Sequence, residues 1–138
     1  MLQPVSDLQA PQLEHSEGFS EAECQAMQRA ILKLFGHWKL TDAEAVILLG
    51  GVSLKTYRRW RAGEYGRVAR DLAERMSNLL GIHKALRIIF SDPQDGYQWV
   101  RAANDAFAGQ SAIDLLKAGG FTDILRVRRY LDSVRGGW

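Results

Sequence analysis

The fold is decided by residues Leu40–Gly63, which read LTDAEAVILLGGVSLKTYRRWRAG. Two helix-start signals lie in this stretch: Thr41 with Glu44 three residues later, and Ser53 ahead of a basic run. The pair Gly50–Gly51 ends the first helix, because glycine readily takes the left-handed backbone conformation. The stretch therefore predicts two short helices joined by a glycine turn, the plan of a helix-turn-helix.

The second helix of this pair has the residues of a DNA-reading helix. Tyr57 and Trp60, three positions apart, suit an anchor against the first helix. Cations on the opposite face would neutralise phosphates, and arginine can also read guanine edges. The Ser53 hydroxyl either caps the helix or meets a phosphate, and the sequence favours the cap. The predicted DNA-binding residues are Ser53, Lys55, Thr56, Arg58, Arg59 and Arg61.

The alternative for this helix is a solvated basic face that binds nothing. The paired caps, the glycine turn and the spacing of the two aromatic residues agree with one another and favour DNA binding. One departure is the second glycine, since a typical turn of this kind uses one. The extra residue could tilt the basic helix and weaken its insertion into the major groove.

Composition bounds the class of protein. The chain has 138 residues, 46% of them hydrophobic and 25% charged, which is typical of one soluble globular domain or two small ones sharing a core. The net charge of +2 says little about partners. Its distribution is more informative, because residues 51–70 carry six cations against Glu64 alone, whereas residues 1–20 contain no Lys or Arg.

Several kinds of site are not expected. The single cysteine, Cys24, excludes an internal disulfide, and the three scattered histidines predict no metal site. No pair of acids suits general acid–base work and no glycine pair matches a phosphate loop, so we expect neither catalysis nor a cofactor. The absence of an apolar span and of a signal peptide predicts a cytoplasmic protein.

Helical periodicity runs through the rest of the chain and no strand pattern competes, so we expect an all-α fold. Capping signals at Ser20, Asp92 and Ser111 start further helices. The predicted organisation is a flexible N-terminal arm (1–19), a helix-turn-helix part (20–67), a long connecting and dimerisation helix (68–90) and a small C-terminal part (91–138). Gly81 falls inside the long helix and is not expected to break it.

The C-terminal part resembles a known family. Its motifs are ALRIIFSD (Ala85–Asp92), Trp99, ANDAFAGQSAIDLL (Ala103–Leu116), the pair Gly119–Gly120, and LDSVRG (Leu131–Gly136). In this order and spacing they resemble the C-terminal domain of Xre/MbcA/ParS-like antitoxins, and the helix-turn-helix stretch also looks like theirs. The chain departs from that pattern at Gln110–Ala112, where the family commonly has Ser-Pro or Arg-Pro, and near Val134.

The resemblance implies an antitoxin of a type II toxin–antitoxin system. Such antitoxins neutralise a toxin with a RES domain, an NAD-consuming enzyme similar to ADP-ribosyltransferases, by covering its active-site entrance with their C-terminal region. Their helix-turn-helix supports autorepression of the shared operon, usually as a homodimer. On this interpretation the partners are the RES-domain toxin and operator DNA, and the chain has no catalysis of its own.

The C-terminal residues of this chain suit the covering of an active-site entrance. Arg128 and Arg135 lie seven positions apart on one helix face, and Trp138 follows two glycines that should free the chain end. An aromatic side chain at an interface is often a binding hot spot. The alternatives are that Trp138 folds back on its own domain and that Arg128 only pairs with Asp132 on the surface. The predicted toxin-binding residues are Arg128, Arg135, Gly136, Gly137 and Trp138.

Two other functions stay open from the sequence. The first is a stand-alone helix-turn-helix transcriptional repressor without a toxin partner. The second is a protein-binding adaptor whose helix-turn-helix is vestigial, which would show no salt-dependent DNA affinity.

Overall fold

The computed structural model describes residues 18–136, and every regular element in that range is helical. The all-α prediction is therefore confirmed. The elements in chain order are α1 (Glu21–His37), α2 (Asp42–Leu48), α3 (Leu54–Arg61), α4 (Arg70–Ile89), α5 (Pro93–Arg101), a 3₁₀ turn (Asp105–Phe107), α6 (Ala112–Leu116) and α7 (Phe121–Gly136).

The predicted capping signals start the helices as expected. Ser20 and Glu23 form a complete capping box at α1, in which the Glu23 N–H donates to Ser20 Oγ over 3.1 Å and the Ser20 N–H donates to Glu23. Thr41 with Glu44 does the same at α2, and Ser111 with Asp114 at α6. Each side-chain cap is worth about 1 kcal/mol, so the short α2 and α6 are fixed locally as well as by packing.

The long helix α4 lies at the centre of the molecule. It packs against α1, α5 and α7, and α7 makes the most extensive contact. Its buried residues are Ala73, Met76, Leu79, Ile82, Ala85 and Leu86. Leu72 and Phe90 are half-buried and pack against the same core. One core joins the helix-turn-helix to the C-terminal part around this helix.

Two arginines tie separate parts of the chain together through backbone carbonyls. Arg75 of α4 donates to the Leu48 carbonyl at the end of α2 over 3.1 Å and to the Gly119 carbonyl after α6 over 2.9 Å. Arg101 at the end of α5 donates from Nε to the Trp38 carbonyl after α1 over 3.0 Å. These bonds satisfy carbonyl groups that a helix end leaves without an intrahelical partner.

One predicted boundary is wrong, at the C-terminal end of α7. Helix α1 continues through Gly36 to His37, and the left-handed residue after it is Lys39 with φ 59°. Helix α4 covers Arg70–Ile89, within the predicted 68–90 segment. Helix α7 runs on to Gly136, so Gly136 belongs to a helix and is not the start of a free end as predicted.

The predicted arm lies almost entirely outside the described residues, and so do Gly137 and Trp138. Between α5 and α6, the 3₁₀ turn places Phe107 in the core at 2% exposure. Between Gly18 and Gly136, no helix combines the length and hydrophobicity needed to cross a membrane.

Candidate functional sites

The turn between α2 and α3 uses both glycines. The Gly50 N–H donates to the Ile47 carbonyl over 2.9 Å, and the Gly51 N–H donates to the Val46 carbonyl over 2.9 Å. Their φ angles of 80° and 103° lie in the region that favours glycine. This bonding pattern is a Schellman motif, in which the second glycine supplies one of the two closing bonds. The doubled glycine is therefore part of the helix stop.

Helix α3 is anchored as the sequence predicted. Tyr57 and Trp60 are each 2% exposed, with ring centroids 6.1 Å apart, where α3 packs against α2 and α1. The Thr56 N–H donates to Ser53 Oγ over 3.0 Å, which confirms Ser53 as the cap. Burying two aromatic rings fixes one face of α3 to the core, so the opposite face with its cations points outward.

Two of the predicted DNA-binding cations are already paired within the helix-turn-helix. Arg61 Nη2 lies 2.6 Å from Asp42 Oδ1, and Arg58 Nε lies 3.6 Å from Asp42 Oδ2. The hydrogen bond from Arg61 lowers the pKa of Asp42 despite some desolvation. The Arg61 guanidinium also lies over the Tyr57 ring, 5.2 Å from its centroid. Asp42 at the start of α2 therefore holds the C-terminal end of α3.

The other two cations of α3 are not paired. Lys55 and Arg59 are exposed, and neither forms an ion pair with any residue between 18 and 136. They lie one helical turn apart on the same face. Thr56 beside them is half-buried, and its hydroxyl lies 3.0 Å from Ser53 Oγ. Lys55 and Arg59 are thus the most available positive charges of this helix.

In the C-terminal part, Arg128 is fixed against the long helix. Its Nη1 donates to Asn78 Oδ1 over 2.8 Å, and Asn78 Nδ2 in turn donates to the Glu74 carbonyl over 2.9 Å. The guanidinium lies over Gly81, where an added Cβ would stand 2.6 Å from Arg128 Cζ. Helix α4 continues through Gly81 as predicted, and the missing side chain makes room for the arginine.

An open groove of about 530 Å³ lies beside this arginine, between α4 and α7. Residues whose side chains or backbone line it include Gly81, Lys84, Arg128, Arg129, Asp132 and Arg135. Asp132 lies 3.8 Å from Arg128 and 4.0 Å from Arg135, so the expected surface pair with Arg128 is present but long. This α4–α7 groove brings Arg128 and Arg135 together with Gly136, as the sequence predicted for a shared face.

Aromatic contacts hold the same half of the molecule together. Trp99 stacks on Tyr130 with centroids 6.2 Å apart and meets Phe107 edge-on at 6.1 Å, so Trp99 is a packing residue. Sequence reasoning missed a second group of stacked rings, in which Tyr97 stacks with His37 at 4.7 Å and with His83 at 6.4 Å between ring centroids. Burial is the main reason why the pKa of His83 is lowered.

The described residues form a helical protein that combines a capped helix-turn-helix with a basic groove between two helices. In the part of the chain that the structure describes, no cluster of three or more His, Cys, Asp or Glu residues could hold a metal ion.

Comparison with known proteins identifies the family. Residues 25–81 match the antitoxin Xre-like helix-turn-helix domain, and residues 85–137 match the antitoxin Xre/MbcA/ParS C-terminal toxin-binding domain. The chain is also 37% identical over 122 residues to the uncharacterized protein y4oB of Sinorhizobium fredii, covering 88% of this chain and 94% of that protein. The chain belongs to the Xre/MbcA/ParS antitoxins, with a helix-turn-helix followed by a toxin-binding domain. Antitoxins of this kind are regulatory proteins.

Proposed function

We propose that this antitoxin neutralises a RES-domain toxin by covering its active-site entrance with the C-terminal end of the chain. The observation that carries the proposal is the toxin-binding domain match over residues 85–137, which contains Arg128, Arg135 and Gly136 on the groove-facing side of α7. The RES class and its NAD chemistry come from the family resemblance. The chain itself contributes contacts and charge to this complex, and no chemical step.

The toxin-binding residues are tested by removing residues 135–138, which deletes Arg135, Gly136, Gly137 and Trp138. We expect the shortened chain to lose neutralisation of the toxin encoded beside its gene while keeping its affinity for DNA. Retained DNA binding serves as the folding control, because the helix-turn-helix shares its core with α4. Unchanged neutralisation would reject the proposal that the C-terminal end of the chain covers the toxin's active-site entrance.

We further propose that α3 binds operator DNA in the major groove and so represses the antitoxin's own operon. Support comes from the exposed cations opposite the buried Tyr57 and Trp60. Lys55 and Arg59 make the first phosphate or base contacts, since no carboxylate of the described residues competes for them. Arg58 and Arg61 contribute from positions that Asp42 restrains.

Fluorescence anisotropy with promoter DNA over a range of salt concentrations tests this interface. Each lost phosphate contact lowers the magnitude of the salt slope by about 0.9, so Lys55→Ala and Arg59→Ala should each flatten it by about that amount. Lys33→Ala on the exposed side of α1 is the matched control. DNA affinity that survives replacement of Arg58 and Arg59 together would reject α3 as the DNA-binding helix. A wild-type chain without salt-dependent DNA affinity would favour the adaptor alternative.

The resemblance also implies a homodimer, and this stays a prediction. Helix α4, which the sequence suggested as the dimer surface, is covered by α1, α5 and α7. A second copy would therefore find only the remaining exposed side chains of α4. Operon repression by a dimer predicts two half-sites in the promoter, separated by one helical turn of DNA or a multiple of it.

A further inference from the structure

We propose that the α4–α7 groove receives an acidic segment of the toxin. The inference rests on the proposed function, because it takes the toxin as the partner, and it adds the chemistry of the surface that the toxin must present. It also extends the toxin interface to two residues of the groove, Lys84 on α4 and Arg129 on α7, that the family resemblance did not single out.

The charge of the groove is strongly one-sided. Among the described residues, Lys84, Arg128, Arg129 and Arg135 line it, and Asp132 supplies the one carboxylate. Asp132 lies 3.8 Å from Arg128 and 4.0 Å from Arg135. Such long, exposed ion pairs are weak, so they neutralise little of the positive charge of the two arginines. Lys84 and Arg129 are exposed and form no ion pair with residues 18–136. A partner with carboxylates would supply the missing opposite charge.

The geometry of the groove also suits the binding of carboxylates. Arg128 is held by a neutral acceptor, Asn78 Oδ1, at 2.8 Å, so it is oriented without being neutralised. Its guanidinium lies over Gly81, which lets it stay close to the α4 backbone. A planar guanidinium held in place can accept a carboxylate through two parallel hydrogen bonds, and little side-chain entropy is lost on binding.

Apolar residues near the groove favour a protein partner over a nucleic acid. Ile88 follows Lys84 by one turn of α4 and is 55% exposed, and Val134 stands between groove residues of α7 and is 52% exposed. A protein surface can bury these side chains, whereas phosphate groups cannot. The α7 side of the groove also falls within the toxin-binding domain match. A second copy of this chain would bring two positive grooves together, which electrostatic repulsion opposes.

Charge reversal at the two unpaired cations tests the inference. Lys84→Glu with Arg129→Glu should weaken toxin binding by about 10- to 100-fold at low salt, since desolvated charge pairs across an interface are strongly coupled. The dissociation constant of the wild-type complex should rise with salt, and that dependence should be flatter in the variant. The matched control is Lys33→Glu with Arg67→Glu, which changes the net charge equally at two exposed positions outside the groove.

A second measurement identifies the partner segment. Acidic residues of the toxin are replaced by lysine one at a time and tested against the Lys84→Glu, Arg129→Glu variant. Replacements at toxin residues that face the groove should restore binding. Binding of the variant equal to that of the control would overturn the inference and leave the proposed function standing. A variant that loses DNA affinity or changes its oligomeric mass, with toxin binding intact, would also overturn it. If the wild-type chain fails to bind the toxin at all, the proposed function fails with it.

Discussion

The guanidinium of Arg75 lies directly over Gly50, so that a Cβ added at Gly50 would stand 2.5 Å from Arg75 Nε. From this position Arg75 donates to Leu48 in the helix-turn-helix and to Gly119 in the toxin-binding domain. A single side chain of α4 therefore joins the two functional parts. The glycine that ends α2 is also the glycine that makes room for the joining arginine.

Gly50→Ala should destabilise the protein through two effects. The left-handed φ of 80° costs an alanine about 1–2 kcal/mol, and the new methyl group displaces the Arg75 guanidinium. A double-mutant cycle with Arg75→Ala, followed by urea unfolding, separates the two effects. We expect Gly50→Ala to cost less in the Arg75→Ala background. Equal costs in both backgrounds would show that Arg75 does not need the space above Gly50.

Gly81→Ala should not bring the gain in stability that alanine usually gives inside a helix. Replacing a helical glycine by alanine normally adds up to about 1 kcal/mol of stability, and Gly36→Ala in α1, with nothing within 4 Å of the new Cβ, should show it. At Gly81 the Cβ pushes Arg128 away from Asn78 and offsets the gain. Thermal melting of both variants checks the difference, and equal stabilisation would contradict it.

Much of the fold could be predicted because its signals are local. The capping boxes at Ser20, Thr41 and Ser111 and the anchor pair in α3 depend on residues three or four positions apart. The motifs of the C-terminal part could also be recognised from their order. Local signals such as these are visible in a single sequence, and the structure confirms them.

The contacts that join the parts could not be predicted, because their partners are far apart in the chain. Arg75 reaches a carbonyl 44 residues away, and Arg101 reaches one 63 residues away. Arg128 and Asn78 are separated by 50 residues. From the sequence alone, Gly81 is a residue that destabilises a helix. The packing of α7 on α4, which places Arg128 over Gly81, explains why a glycine stands there.

Asp42→Asn should raise the affinity for non-specific duplex DNA. The carboxylate faces Arg58 and Arg61, so its removal frees their charge for phosphates and steepens the salt slope by up to about 1. Stability should fall by no more than about 1 kcal/mol, because the pair is partly exposed. Anisotropy titrations and urea unfolding measure the two effects. A loss of DNA affinity in a folded variant would mean that Asp42 positions the arginines productively.

The stability of the fold should decrease at acidic pH because His83 becomes protonated. Burial, with Arg87 and His37 nearby, lowers the pKa of His83 below its ordinary value of 6.5. The unfolded chain therefore takes up this proton at a higher pH than the folded chain does. The contribution of neutral His83 is complete above about pH 6.5 and is lost as the pH falls through the lower pKa of the folded state.

Melting temperatures of the wild type and of His83→Gln between pH 5 and pH 8 check this dependence. The difference between the two proteins should change as the pH falls below about 6.5, because groups common to both proteins cancel in the comparison. A constant difference over the whole range would show that His83 titrates equally in the folded and unfolded chains.

We expect this chain to act by occupying the surface of a RES-domain toxin. The most direct measurement is NAD consumption by the purified toxin encoded beside its gene, titrated with this antitoxin. We expect NAD consumption to fall linearly to zero at a fixed ratio of the two proteins, and we expect removal of residues 135–138 to abolish this inhibition. Full NAD consumption at every antitoxin concentration would contradict it.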